Sequence, residues 1–268
     1  MISTQYYYDV LNFKEFFIHS CPVEKRYETH KVWTQWLIRN LCMIPHNHHV
    51  IPSKTVIGDT DIISHLMRLG LGKRQALTFY VSVIDKVRSL YDTYNEYKSN
   101  FDFVDIQIMD VKHKQTRNVM HTYSVNDIYI RYDEIHHQML INRYRGDPKH
   151  LNFCLFEMGF NYFILEGHSF QWCVPPNAMS VLNQYLSINT ELFASPINVS
   201  LSNYYSLFTI DKYFGATENF FNLCINDISD GSYEINPPFI DNLFIRSSDM
   251  VISWLEQKQS DKRELLFV

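Results

Sequence analysis

The 268-residue chain lacks several features that would settle its class at once. It has no stretch approaching 18 consecutive apolar residues, so nothing in it reads as a transmembrane helix. Its amino terminus, MISTQYYYDV, has no basic segment leading into an apolar run and does not read as a secretory signal. The five cysteines (Cys21, Cys42, Cys154, Cys173 and Cys224) are scattered and odd in number. That excludes a disulfide framework and points to reduced thiols in an intracellular protein, nuclear or cytoplasmic. No GxGxxG phosphate loop is present. Positive charge is also short: 24 Lys plus Arg face 29 Asp plus Glu, for a net charge of -5. This argues against a generally basic nucleic-acid coat, while leaving room for a local basic groove.

Aromatic side chains are abundant. Eighteen Tyr, 19 Phe and 4 Trp make 15% of the chain, within a composition that is 46% hydrophobic and 20% charged. This is a folded protein with a sizeable core. Aromatics serve core packing and base stacking alike, so composition does not choose between them.

Periodicity predicts a mostly helical first half. Apolar positions at helical spacing mark 12–20 and 27–42, and most clearly 75–98, where Leu77, Tyr80, Val83, Ile84, Val87 and Leu90 recur. The alternation of FDFVDIQIMD predicts a strand over 101–110, and a helix is expected over about 124–145. The aromatic segment from Leu151 to Gly167 reads as a buried helix. The rhythm then changes. A short helix opens near Pro176, ELFASPINVS reads as strand to loop, and FGATENFF as turn to helix around Gly215. GSYEINPPFID reads as a short strand and rigid loop, followed by a helix over Asp241 to Lys258 and a further strand at LLFV. This β/α order favours an open sheet whose strand-end loops hold ligands. The expected division is a helical substrate-binding or scaffold portion, 1–170, and an α/β portion, 171–268.

The sharpest chemical element is Asn236-Pro237-Pro238-Phe239. Two prolines fix the backbone, carbonyl and carboxamide oxygens are offered as acceptors, and Phe239 offers a flat face. The set can hold an exocyclic amino group while its ring stacks on Phe239. A Pro-rich turn capped by an aromatic is the plainer reading of four residues. His46, His48 and His49 invite a metal reading, but no second ligand cluster follows, and no zinc is expected. Lys112, Lys114, Arg117, Arg131, Arg143 and Arg145 are the best basic candidates for RNA or phosphate contact; a solvated charged face is the alternative. Trp172 stacks on a ligand or seals the core.

ELFASPINVS, NYYSLF, KYFGATENFF and GSYEINPPF occur in this order. Together they resemble the catalytic domain of the mRNA cap-adenosine N6-methyltransferases, the family of the phosphorylated-CTD-interacting factor and its viral relatives. The resemblance is strongest over about 170–268. It implies a Rossmann-like methyltransferase sheet behind a helical domain, S-adenosylmethionine as cofactor, and m7G-capped mRNA as partner. On it, Asn236, Pro237, Pro238 and Phe239 match the catalytic amine-binding tetrad. Phe193, Ala194, Ser195, Pro196 and Asn198 match the element beside the cofactor, as do Phe214 and Gly215 of the FG turn. Glu191 is a further polar candidate there. After the FG turn, ATENFF replaces a form richer in glycine and serine. The missing GxGxxG suits this reading, because S-adenosylmethionine has no pyrophosphate to cradle. For Asp241, capping the following helix is the expected role rather than catalysis.

The expected activity is N6-methylation of the cap-adjacent adenosine. The alternatives are an inactive RNA- or partner-binding homologue, or a methyltransferase acting on adenine in other RNA or DNA. Because the chain stops at Leu265-Leu266-Phe267-Val268, the expected sheet is incomplete at its C-terminal side, with a protein partner able to complete it.

Overall fold

The computed structural model describes residues 4–42, 50–52, 61–94, 107–112, 119–165, 173–261 and 264–268. The His46–His49 run, Lys114, Arg117 and Trp172 lie outside them, as do the side chain of Lys112 and residues 101–106 of the expected strand.

Four helices come first: α1 (Thr4–Ile18), α2 (Arg26–Cys42), α3 (Asp61–Arg68) and α4 (Lys73–Tyr94). On α1, Tyr6, Val10, Phe13 and Phe17 are buried at intervals of three and four. The α1 rings interlock edge-on with α2, with Phe13 5.3 Å from Trp33 and Phe17 5.2 Å from it, centroid to centroid. The buried face of α4 carries Ala76, Val83, Ile84 and Val87. Leu77, part of the expected stripe, is half exposed.

The first half also contains a sheet, so it is not helical throughout. Strands β1 (Gln107–Lys112), β2 (Val119–Val125) and β3 (Ile128–Asp133) pair antiparallel in that order. The expectation of a helix over 124–145 is thus corrected: a hairpin ends there, and helix α5 spans only Glu134–Arg143. The reason is local. Ile128, Ile130 and Tyr132 are buried while Tyr129 and Arg131 are exposed, a period of two. Asn126 adopts the left-handed conformation at φ 53°, which turns the chain between β2 and β3. Asp133 then caps α5 by accepting the His136 N–H at 2.9 Å.

Helix α6 (Leu151–Leu165) is buried almost all round, as its aromatic sequence predicts. It packs against α1, α2, β2 and β3, and Trp33 Nε1 donates to the Ile164 carbonyl at 3.0 Å. Gly159 lets α6 approach β3, since a Cβ there would run into the Tyr132 hydroxyl and the Ile130 side chain.

The remaining elements follow the β/α order expected from sequence. They are α7 (Pro176–Leu186), β4 (Ile188–Glu191), β5 (Asn203–Tyr204), β6 (Gly231–Glu234), α8 (Asp241–Asp261) and β7 (Leu265–Phe267). Short 3-10 turns at Thr209–Phe214 and Phe220–Asn222 flank Gly215. The four strands form a parallel sheet in the order β5-β4-β6-β7. The chain therefore steps to one side of β4 and then to the other, so the strand order reverses between β4 and β6. At such a point the loops beyond the strand ends part and leave a crevice. One apolar core draws on residues from Tyr6 to Trp254, so both halves of the chain pack into it.

Candidate active site

Two loops leave the carboxyl ends of neighbouring parallel strands. The segment Phe193 to Asn198 follows β4, and Asn236 to Phe239 follows β6. The register pairs Glu191 with Glu234, and the Leu192 N–H donates to the Glu234 carbonyl at 2.9 Å. The two motifs picked out in the sequence thus start side by side at the strand-order reversal.

The loop after β4 is self-bracing. Asn198 Oδ1 accepts from the Ser195 N–H at 2.7 Å and from the Ser195 hydroxyl at 2.9 Å, and the Asn198 N–H donates back to the Ser195 carbonyl. These side chains set the shape of the loop. Phe193 turns into the core against Phe220, 4.5 Å between centroids, and Pro196 is buried. The Ala194 N–H donates to the Tyr205 carbonyl at 3.0 Å. Phe214 is buried, and its carbonyl accepts the Tyr204 hydroxyl at 2.9 Å. Gly215, at φ 96°, supplies the left-handed residue that ends the 3-10 turn. At these positions it is mostly backbone, not side chain, that is left to meet a ligand.

The loop after β6 has a different character. Pro237 is buried, Asn236 and Pro238 are half buried, and Phe239 is 55% exposed. The Pro238 carbonyl accepts the Ile240 N–H at 2.6 Å, which closes a tight turn into α8. The Asn236 carboxamide and the Pro237 carbonyl take no hydrogen bond from the described residues. Both acceptors remain available beside the exposed face of Phe239, whose ring lies parallel to Phe244 at 5.8 Å. Asp241 is the first residue of α8, with Ile240 before it in the capping position, so its charge sits in the first helical turn.

Three acids add electrostatic character. Glu191 is 3% exposed, and its Oε1 accepts the N–H groups of Ser200 at 2.8 Å and Leu201 at 2.6 Å. Burial nevertheless pushes its carboxyl above the usual range. Glu234 is 4% exposed, its Oε2 has no hydrogen-bond partner among the described residues, and burial together with the charge of Glu191 raises it to about 8. Asp211, fully buried, is raised to about 7 by burial while its Oδ2 accepts the hydroxyls of Tyr162 at 2.7 Å and Ser206 at 2.6 Å. Asp211 ties α6 to the loops of the parallel sheet.

The basic candidates scatter. Arg143, at the end of α5, reaches the site from behind: its guanidinium donates to the Val199 carbonyl at 3.2 Å and the Leu201 carbonyl at 3.5 Å. It braces the same loop that holds Glu191. Arg131 lies on β3 of the other sheet, exposed and beside the Tyr129 ring, and Arg145 donates to the carbonyls of Asn142 and Tyr144. Sequence reasoning missed Glu234, Asp211 and the bracing role of Arg143. Only an acid closing a short strand, two residues before Asn236, could have pointed to Glu234. Among the described residues no group of three or more His, Cys, Asp and Glu could hold a metal ion, and no helix is long and apolar enough to cross a membrane.

Comparison with known proteins bears on the family. A Homo sapiens protein named mRNA (2'-O-methyladenosine-N(6)-)-methyltransferase is 30% identical over 116 residues, covering 42% of this chain and 15% of that protein. The Mus musculus protein of the same name is 30% identical over 113 residues, covering 41% and 15%. The matched stretch thus spans about 15% of the length of these curated relatives, both named as methyltransferases. The family described as Phosphorylated CTD interacting factor 1 WW domain matches residues 128–268, just over half of the chain and all of the parallel sheet, and the chain belongs to that family.

Proposed function

We propose that the parallel sheet is a Rossmann-like methyltransferase sheet and that the chain methylates N6 of the cap-adjacent adenosine of m7G-capped mRNA, with S-adenosylmethionine as donor. The observation that carries this reading is the pair of loops at the strand-order reversal, one of which keeps two acceptors unspent beside an exposed aromatic face. The names of the human and mouse relatives point to the same chemistry.

The residues present suit the donor. A buried carboxylate oxygen of Glu234 without a partner among the described residues fits a cationic ligand, and the backbone of the loop after β4 lies beside it. S-adenosylmethionine, when bound, supplies an electrophilic methyl group on a sulfonium. Asn236 Oδ1 and the Pro237 carbonyl would accept the two N–H bonds of the adenine amine and aim its lone pair, while Phe239 stacks on the ring. Fixing that line of attack is where most of the acceleration would come from. The tetrad contains no strong base, and none is required before attack: the extra proton on the methylated nitrogen leaves to solvent afterwards. The basic side chains Lys112, Lys114, Arg117, Arg131 and Arg145 remain proposed contacts for the RNA backbone.

The test is direct. The purified chain is incubated with labelled S-adenosylmethionine and m7G-capped RNA beginning with adenosine, and the first nucleotide is analysed. N6-methyladenosine formed by the wild type and lost in Asn236→Ala supports the reading. A folded chain that neither binds the donor nor transfers methyl sinks it. Capped-RNA binding kept without transfer favours a binding module, and transfer to uncapped RNA or DNA places the activity on adenine more generally.

A further inference from the structure

Glu191 and Glu234 are direct cross-strand partners in the parallel sheet, so their side chains leave on the same face at adjacent strand ends. Both are nearly fully buried. Two carboxylates held this close do not both ionise readily without a counter-charge. Their surroundings are unequal. Glu191 has two backbone N–H donors on one oxygen, an arrangement that favours its anion. Glu234 has a buried oxygen that no donor among the described residues reaches. Arg143 donates to two loop carbonyls and keeps its charge, which favours the Glu191 anion; Glu234 has no such cation acting on it among the described residues.

We propose that Glu191 and Glu234 form a subsite for a primary ammonium group, and that filling it exchanges one shared proton for the bound cation. In the empty site Glu234 carries the proton and Glu191 the charge. The incoming ammonium brings several N–H donors, one of which takes the unpartnered Glu234 oxygen. The pair then holds two negative charges against one positive, and the displaced proton goes to solvent. Other groups among the described residues also face the pair. Cys173 lies close enough for both acids to help hold its thiol protonated, after burial; Tyr204 of β5 stays a neutral phenol, chiefly through burial; Arg143 faces Glu191. Burial and the charge of Glu191 raise Glu234 to about 8, so the shared proton is present at neutral pH.

This subsite rests on the methyl-transfer reading, in which the ammonium is that of the donor's amino-acid end. It adds a proton count that this reading does not contain. Calorimetric titration of the full chain at pH 7, in buffers of different ionisation enthalpy, measures protons released per ligand bound. S-adenosylhomocysteine, which keeps the ammonium, is expected to release about one proton, falling toward zero as pH passes 9. Methylthioadenosine, which lacks the amino-acid end, is expected to release none. Glu234→Gln, which mimics the protonated acid, should abolish the release and weaken S-adenosylhomocysteine binding at least tenfold, leaving methylthioadenosine binding unchanged. S-adenosylhomocysteine binding without proton release, or with equal affinity in Glu234→Gln, overturns the subsite and leaves methyl transfer standing. Failure of both ligands to bind the folded chain overturns both. Infrared difference spectra of the ligand-free chain against Glu234→Gln give an independent check. A protonated-carboxyl band lost on substitution at pH 7 supports the shared proton, and its absence overturns the proposal.

Discussion

The two sheets differ in where their polar groups lie. In the antiparallel sheet, alternation sends Ile128, Ile130 and Tyr132 inward and Tyr129 and Arg131 outward, and the buried Tyr132 hydroxyl finds the Leu155 carbonyl at 2.7 Å. In the parallel sheet the two central strands, β4 and β6, end in the buried acids Glu191 and Glu234, one of them with an oxygen that no donor among the described residues meets. The antiparallel sheet leaves Thr122 Oγ1 buried and unmet in mid-strand, whereas in the parallel sheet the unmet groups gather at the carboxyl edge, among the described residues. Free energy left unused in this way is characteristic of places that meet a ligand. Substitutions in the antiparallel sheet should therefore move stability, and substitutions at the parallel strand ends should move chemistry.

The largest effect tests the chemical side. Asn236→Ala removes an acceptor that no donor among the described residues uses. Methyl transfer should fall about 100-fold or more, an effect of about 3 kcal/mol on the barrier, with the thermal midpoint nearly unchanged. A large loss of stability instead would mean that the loop is packing after all. On the structural side, Gly159→Ala on α6 should destabilise by about 1–3 kcal/mol in chemical denaturation, because the new methyl meets Tyr132 and Ile130. An exposed helical glycine would show the opposite sign, a gain of about 1 kcal/mol.

A pH scan separates the two regions next. Glu234 is raised from an ordinary 4.5 to about 8 in the folded chain, chiefly by burial. Its folded state holds a proton that the unfolded state has lost, so stability is fully present below about 4.5 and falls as pH rises toward 8. The slope from this group is at most about 1.4 kcal/mol per pH unit. Glu157 and Asp211, each raised to about 7 by burial, add to it at lower pH. Denaturation at pH 5, 7 and 8.5 should show the decline, and Glu234→Gln should flatten its upper part. The smallest effect belongs to the hairpin. Asn126→Ala at φ 53° should cost about 1 kcal/mol without changing methyl transfer.

Much of this was legible in the sequence, and the exceptions have physical causes. The Pro-rich turn at Asn236 to Phe239 was legible because turn chemistry at a strand end is local, whereas the segment after β4 was legible only through the family resemblance. The β2–β3 hairpin was missed although Asn126-Asp127 sits between alternating residues. Helix α5 begins directly at Asp133, so a window spanning both elements averaged two periods into one. The acid pair was hidden for another reason. Glu191 and Glu234 are 43 residues apart, and nothing in either segment states the parallel register that joins them. Arg143 read as a surface cation because its partners are backbone carbonyls, which leave no trace in side-chain patterns.

That arginine has a consequence for how the molecule can be divided. Its guanidinium clasps Val199 and Leu201 from the end of α5, as Asp211 is clasped by Tyr162 from α6. A cut at 170/171 would strip both clasps from the loops they hold. A piece that keeps both clasps must begin upstream of α5, and the packing of α6 on α1, α2 and β2 ties it further upstream still. Gene fusions, swaps between relatives or truncations for expression should carry α5 and α6 along with the parallel sheet, as one inheritable block.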